Sequence, residues 1–319
     1  MSRYKQHPLD FSALSTIPIA ARGGKVRMEH MGLPPEKSLT LARWLERLPK
    51  LLAADSLRAI VAALRQARAH GRGILWGIGG HVIKCGLAPV LIDLLDRGYA
   101  TACAMNGAAS IHDFEIGLAG QTSEDVEAVL PDGRFGCVEE TGREMNSAIR
   151  AAADHGIGMG EALGERLDRI ARPEFAPACL LLQAWRRKIP VTVHVAIGAD
   201  TPHIHPTADG AAIGAATHHD FRLFCSLLRE LDDGGVYLNV GSAVVLPEVF
   251  LKAVSAVRNL GCPLAGFTTV NFDFLQPYRP RVNVVERPHS QRGGQGYSIT
   301  GHHELLLPLL AGILADLDA

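Results

Sequence analysis

Histidine supplies most of the chemistry that this chain could carry. Nine of its fourteen histidines lie at or near the ends of apolar segments typical of strands: His81, His112, His194, His203, His205, His218, His219, His302 and His303. Imidazole titrates near neutral pH and serves as general acid, general base or metal ligand. If extended, His203 and His205 point to one face and could share a metal ion, with Asp209 or His219 as a third ligand. For His302 and His303 a structural contact is the simpler interpretation.

A glycine-rich turn is the second feature of the sequence that indicates a binding site. The apolar run 74–76 breaks into glycines, among them Gly79 and Gly80, and an amphipathic segment follows. A second apolar run, 100–105, breaks into Asn106–Gly107. This order predicts a βαβ unit whose first loop lacks bulky side chains, so that a phosphate could approach the backbone at a helix start. The alternative is a turn that only reverses the chain.

The second half of the chain repeats the pattern. Apolar runs predict strands at 189–195, at 235–240 and ending at 268–273, each followed by a helical segment. This alternation predicts an α/β, Rossmann-like fold with a mainly parallel sheet and helices on both faces. Polar or glycine-rich sequence follows each predicted strand: GIGGH, MNGAASIHD, GADTPHIHP, NVGS and TTVNFD. Since ligands bind beyond the carboxyl ends of such strands, we expect one site at this edge.

The remaining segments complete a single predicted domain over residues 1–319. Residues 1–70 are expected to form an irregular arm followed by helices, and about 122–186 a helical excursion interrupted by glycines. We expect 201–220 to be a long polar loop that leads into a helix starting at Phe221. The glycine-rich stretch 286–301 is expected to be a mobile loop that could close over a ligand.

Composition excludes several classes of function. A formal net charge of −1 gives no broad field that would attract nucleic acid or an anionic membrane. Aromatic residues make up only 6%, which argues against a stacking platform for single strands. The six cysteines form no CxxC pair, so we expect free thiols in a reducing compartment. An N-terminus without an apolar signal core, and no membrane-length apolar run, lead us to expect a cytoplasmic protein.

From about residue 70 onward the chain resembles the deoxyhypusine synthase superfamily. The segments that carry the resemblance, in order and spacing, are GIGGHVIKCGL, MNGAASIHD, KIPV, ADG at 208–210, GSAVVLP, and TTVNFD followed by HHELLLPLL. The resemblance implies a Rossmann-like sheet that binds NAD and a homotetrameric assembly. In the family, the reaction is transfer of an aminobutyl group from spermidine.

The functional residues depart from the family pattern. In GSAVVLP the position of the family's lysine nucleophile is Leu246, and a leucine cannot form an imine. His112 stands where the family has an acidic residue for the polyamine. Asp209 and Asp273 stand at matching positions. We therefore do not expect authentic deoxyhypusine synthesis.

The favoured hypothesis is an NAD-dependent enzyme of this fold acting on a small, amine-containing substrate. His112 or His205 would take a proton, with Asp209 as a third catalytic residue that holds substrate. The residues expected to contact the cofactor are Gly79, Gly80, His81, Asn106, Gly107, Gly241, Ser242 and Asp273. One alternative is a metal-assisted hydrolase or lyase that uses His203 and His205. Another is a non-catalytic ligand-binding homologue.

Overall fold

Six parallel strands form one sheet. The computed structural model describes residues 2–319. The strands are β1 (Ile74–Ile78), β2 (Ala102–Asn106), β3 (Val191–His194), β4 (Val236–Val240), β5 (Thr268–Asp273) and β6 (Gln295–Thr300). Their order in the sheet is β3-β2-β1-β4-β5-β6, and every neighbouring pair is parallel. The chain thus winds in opposite directions from the centre, and the switch point lies between β1 and β4.

Twelve α-helices surround this sheet within residues 2–319. They are α1 (Leu41–Arg47), α2 (Leu52–Ala69), α3 (Gly80–Lys84), α4 (Ala88–Asp96), α5 (Gly107–Ala119), α6 (Val126–Val129), α7 (Glu139–His155), α8 (Met159–Ile170), α9 (Leu180–Arg186), α10 (Gly210–Leu228), α11 (Val245–Asn259) and α12 (His303–Asp318). A π-helical segment spans Pro280–Glu286. The expected α/β architecture with a parallel sheet is confirmed.

Side chains alternate along each strand, so that the two faces of the sheet pack against two separate cores. In β1, Trp76 and Ile78 face a core shared with α2 and α12, whereas Leu75 faces a second core built with α11 and the end of α10. Strands covered on both faces bury every side chain, which is why they appear in the sequence as unbroken apolar runs. Each fully buried large aliphatic side chain contributes about 1.5–3 kcal/mol to this packing.

Gly77 belongs to β1 and not to the turn after it. A Cβ atom at this position would lie 2.4 Å from the hydroxyl of Tyr237 on the neighbouring strand β4. The Tyr237 ring stacks on Phe250 of α11 with centroids 4.0 Å apart. The glycine therefore makes room for a buried tyrosine, and the strand continues two residues beyond the apolar run that predicted it.

Two sequence expectations need correction. The polar stretch 201–220 is not one long loop, because α10 begins at Gly210. The glycine-rich stretch 286–301 is not simply a mobile loop, because β6 forms within it and pairs with β5. In each case main-chain hydrogen bonds and tertiary packing outweigh a weak local pattern.

The N-terminal arm is irregular. Residues 2–40 contain two short 3-10 turns, Ile19–Ala21 and Met28–His30, and most of their side chains are exposed. Helices α6 to α9 follow one another between β2 and β3 after α5, with a break between α7 and α8 at Gly156–Gly158. Among residues 2–319, no helix combines the length and the hydropathy that a bilayer crossing requires.

Candidate functional site at the carboxyl edge of the sheet

The turns after β1 and β4 pack directly on each other. Gly79 N–H donates to the Val240 carbonyl at 2.9 Å. A Cβ atom on Gly79 would lie 2.0 Å from the Gly241 carbonyl oxygen. Gly241 itself has a φ of +65°, a left-handed conformation that favours glycine. The contact between these two turns requires both glycines, whatever binds beside them.

The first helix after the glycine turn is short and uncapped. The predicted single amphipathic helix is two: α3 ends at Lys84, and a turn through Gly86 precedes α4. No side chain caps the start of α3, where Gly79 is the N-cap residue. The first N–H groups of a helix have no partner within it, so those of Gly80 and His81 remain available to a ligand.

The carboxylate of Asp200 lies against the turn after β2. Asn106 caps α5, its side chain accepting a hydrogen bond from Ala109 N–H at 2.9 Å. A Cβ atom on Gly107 would lie only 2.1 Å from a carboxylate oxygen of Asp200. Burial raises the pKa of Asp200, while the Ala196 N–H that it accepts works in the opposite direction. Asn106 and Gly107, predicted to contact a cofactor, therefore have structural contacts, and the sequence analysis missed Asp200.

His112 lies beside the glycine turn and forms a polar relay. Its Nδ1 is 2.7 Å from the Thr122 hydroxyl oxygen, and that hydroxyl donates to Glu115. Thr141 donates to the other oxygen of Glu115 at 3.1 Å. Since the Thr122 proton is directed to Glu115, Nδ1 of His112 is the donor to Thr122, which leaves Nε2 as an acceptor.

Two features of this relay affect its protonation. Burial, and secondarily Lys84, lowers the pKa of His112, so that the imidazole is neutral at pH 7. Burial raises the pKa of Glu115. Cδ2 of His112, the ring atom next to Nε2, lies 3.2 Å from the position of a Cβ on Gly80. A neutral base is thus held against the turn after β1.

An acidic cavity lies on the other side of the relay. Its volume is about 680 Å³, and Glu115, Thr122 and Thr141 line it. Other charged residues of its wall are Glu124, Glu140, Glu144, Arg143 and Arg172. Glu144 is paired with Arg166 and Arg143. The relay therefore joins the glycine turn to a cavity with an excess of carboxylates.

His205 has the contacts of a structural histidine. Its side chain is 8% exposed and its ring lies against Gly142 of α7, where a Cβ atom would be 2.3 Å away. Nδ1 contacts the Thr207 hydroxyl at 2.8 Å, and Nε2 lies 3.3 Å from Glu139. Both ring nitrogens are occupied within the protein, so the predicted catalytic role of His205 has no geometric support.

Asp209 has a structural role as a helix cap, and His203 lies in a short turn. The Asp209 carboxylate caps α10 by accepting from Ala211 N–H at 2.9 Å and from Ala212 N–H. His203 lies in the 3-10 turn Thr201–Ile204. Among residues 2–319, one cluster alone places three possible metal ligands together, and it contains neither His203 nor His205. His203 and His205 are therefore not part of a ready-made cluster of three possible ligands.

The other histidines divide between the core and the surface. His194 is buried at the end of β3 beside Thr192, and burial lowers its pKa to about 4. His218 and His219 lie on α10 and not in a loop. His303 is fully buried and donates from Nε2 to the Phe272 carbonyl at 3.1 Å, which is the structural contact that the sequence suggested.

Ser242 and Asp273 are buried at the ends of β4 and β5. The Ser242 hydroxyl oxygen accepts from Leu246 N–H at 3.2 Å in the first turn of α11. Asp273 lies 3.9 Å from Nε2 of His303. Leu246 is fully buried in the second core, so no amine nucleophile stands at the position of the family's lysine.

His81 is the centre of a further cluster at this edge. Its ring lies near Phe274 and His303, with centroids 5.6 Å and 5.4 Å away. Nε2 of His81 is 3.3 Å from the Cys85 sulfur, and Glu304 approaches the same sulfur from the first turn of α12. The sequence predicted only His81 of this group, because Glu304 is separated from it by most of the chain.

Two buried aspartates that look catalytic are remote helix caps. Asp113 accepts from Leu180 N–H and Leu181 N–H at the start of α9, at 2.8 Å and 2.7 Å. Asp220 accepts from Gly160 N–H of α8 and from Val193 N–H of β3, at 2.9 Å and 2.8 Å. Burial raises the pKa of Asp113 to about 6 and that of Asp220 to about 7.

The fold and this edge define a Rossmann-like α/β protein, and solved structures share that fold. A conserved candidate LOR/SDH protein from Methanococcus maripaludis S2 aligns over 90% of this chain and 74% of its own, with 17% identity and a TM-score of 0.51. AgrE, solved in a ternary complex with ornithine and NAD⁺, aligns over 82% of this chain, with 19% identity and a TM-score of 0.50. The alignment spans 33% of the AgrE chain.

A candidate deoxyhypusine synthase from Entamoeba histolytica is also similar. It aligns over 88% of this chain and 95% of its own, with 9% identity and a TM-score of 0.49. No family model matches the chain, and no curated protein sequence does. Identities this low establish a shared fold and leave the reaction open to experiment.

Proposed function

We propose that the protein is an NAD-dependent enzyme that acts on a small, amine-containing substrate. The strand order, with its switch point between β1 and β4, carries the proposal, because dinucleotides bind at this crevice in doubly wound sheets. The complex of AgrE with ornithine and NAD⁺ supports it, since that protein shares the fold. In this proposal NAD⁺ supplies a hydride acceptor.

The uncapped start of α3 fits the cofactor's diphosphate best. The starts of α5 and α10 are capped by Asn106 and Asp209, and Asp200 adds a carboxylate beside α5. A phosphate would be repelled there and attracted by free N–H groups. We therefore assign the cofactor to Gly79, Gly80 and His81, with Gly241, Ser242 and Asp273 across the crevice, and not to the turn after β2.

His112 is the proposed general base. Its unprotonated Nε2 takes the proton from the substrate's amine or hydroxyl group when a hydride leaves the adjacent carbon. Nδ1 keeps its proton on Thr122, and Glu115 stabilises the imidazolium that forms.

The test is cofactor binding followed by turnover. We expect NAD⁺ or NADH to raise the melting temperature of the purified protein. A ligand at a hundredfold excess over its dissociation constant adds about 2.7 kcal/mol of stability. Ornithine and related small amines are then offered with NAD⁺, and NADH formation is followed by absorbance. No stabilisation by NAD⁺, NADH or NADP⁺ would contradict the proposal.

Self-association is proposed on the resemblance, as a homotetramer. The irregular arm carries exposed apolar side chains that support an interface role: Tyr4, Leu9, Phe11, Leu14, Ile17, Ile19, Val26, Met28, Met31 and Leu33. Light scattering on the full chain measures the assembly mass. A monomer at micromolar concentration would contradict this proposal.

A further inference from the structure

Three different metal-ligand types meet at the carboxyl edge beside the glycine turn. The donor atoms of His81, Cys85 and Glu304 all lie within 4.8 Å of one another. The His81 Nε2 to Cys85 Sγ distance is 3.3 Å, and the distance from Cys85 Sγ to Glu304 Oε2 is 3.7 Å. A tetrahedral zinc ion with ordinary bond lengths holds such donors roughly 3.3–3.8 Å apart. Both distances to the Cys85 sulfur therefore match donors on a shared ion.

Secondary structure positions the first two donors. His81 and Cys85 are four residues apart around α3, and Cys85 N–H donates to the His81 carbonyl at 2.9 Å. Residues with this spacing lie on one face of a helical turn. The His81 ring also contacts the Phe274 and His303 rings. Two ligands are thus held together before any ion binds.

The third donor comes from a helix that starts at the same edge. Glu304 lies in the first turn of α12, directly after β6. Its Oε1 atom is 3.8 Å from Nδ1 of His302, while Oε2 faces Cys85. One carboxylate oxygen is therefore directed to the sulfur and the other away from it. His81 and Glu304 are exposed and Cys85 is half-buried, so an ion can enter from solvent.

We propose that His81, Cys85 and Glu304 form a site for a divalent transition metal of the zinc class. One nitrogen, one thiolate and one carboxylate suit a borderline-soft ion, and three protein ligands leave a position for water or substrate. On binding, the Cys85 thiol releases its proton to solvent and the sulfur bonds to the metal. The site stands on geometry separate from His112 and its relay. It shares His81 with the proposed cofactor site, where the cofactor would use the main-chain N–H of His81 and the metal its imidazole.

Cobalt(II) is the probe for this site, because a cobalt–thiolate bond gives a charge-transfer absorption. The chelator-treated protein is titrated with Co²⁺, and Zn²⁺ is then added as competitor. We expect one Co²⁺ per chain, a charge-transfer band, and its loss when Zn²⁺ displaces the cobalt. Cys85→Ser should abolish the band, and Glu304→Gln and His81→Ala should each weaken binding at least tenfold.

Cys137→Ser is the matched control, because Cys137 is an exposed free thiol outside the cluster. It should bind Co²⁺ like the parent protein. Absence of binding to the parent, or Glu304→Gln binding as tightly as the parent, would overturn the proposal, as would loss of the band in the control variant. Stabilisation by NADH is measured separately on metal-free parent and Glu304→Gln proteins. Failure of the metal site is thereby distinguished from failure of the proposed cofactor function.

Discussion

His112 and His205 make similar polar contacts in two different regions of the molecule. Each ring bonds through Nδ1 to a threonine hydroxyl, and each has a glutamate nearby. At His112 the glutamate lies behind the threonine, so Nε2 stays free beside the glycine turn. At His205 the glutamate is on Nε2 itself, and the ring is pressed against α7.

This difference shows that residue type and position after a strand do not define a catalytic histidine. The decisive property is which ring nitrogen keeps a free lone pair. The two histidines therefore contribute differently to the protein. Loss of His112 removes a base, whereas loss of His205 removes packing and hydrogen bonds that join residues 205–207 to α7.

The largest expected effect is on turnover when His112 is replaced. For the amine that proves to be turned over, His112→Ala should lower kcat by about 10²- to 10⁴-fold, the usual contribution of a general base. NADH binding by the variant should match the parent. A kcat within threefold of the parent value would show that His112 is not the general base. The proposed functional difference between His112 and His205 would then be wrong.

The pH profile gives a check on the same assignment. Because burial lowers the pKa of His112 from its ordinary 6.5, kcat/KM should stay high at pH 7 and fall only as the pH drops below 6.5. Protonation of Nε2 on acidification removes the acceptor. Thr122→Val, which keeps the side-chain shape but loses the hydroxyl, should reduce kcat less than His112→Ala does.

A smaller effect, on stability alone, is expected at His205. His205→Ala removes the buried ring between residue 207 and α7 and should lower the free energy of unfolding by about 1–3 kcal/mol. Turnover per folded molecule should stay at the parent level. Denaturant titration and activity assays at the same temperature measure the two quantities. Loss of turnover without loss of stability in His205→Ala would show that His205 has a catalytic role and not a structural one.

A change in the pH dependence of stability is expected elsewhere, at the buried cap Asp220 between α8 and β3. Its folded pKa of about 7 lies above the unfolded value of 3.8, so the folded state holds a proton that the unfolded state has released. Stability from this group is full below pH 3.8 and is lost as the pH rises toward 7. The slope is at most about 1.4 kcal/mol per pH unit.

Asp220→Asn lacks this titration but keeps an oxygen for the N–H groups of Gly160 and Val193. Relative to the parent, its free energy of unfolding should therefore rise between pH 4 and 7 and level off above that range. Urea denaturation at several pH values measures the difference. Parallel curves for the two proteins would show that Asp220 is ionised in the folded state throughout.

Much of the secondary structure follows from the sequence alone. The buried strands appear as apolar runs because both faces of a parallel sheet are covered. The break between α7 and α8 follows from Gly156, whose φ is +66°. Leu246 likewise shows directly that the family's lysine is absent. These are local properties, set by side-chain hydrophobicity and backbone freedom over a few residues.

Pairings between distant residues were decided by tertiary structure. Asp113 and Asp220 cap helices 67 and 60 residues away, and Glu304 meets Cys85 across 219 residues. Periodicity reports which face of an element is buried and not which element covers it, so neither the caps nor this cluster could be predicted. The same holds for Asp200 against Gly107, and for the contacts that leave Nε2 free in His112 and occupied in His205. Strand order and helix packing bring these groups together, and hydrogen-bond geometry then determines what each one can do.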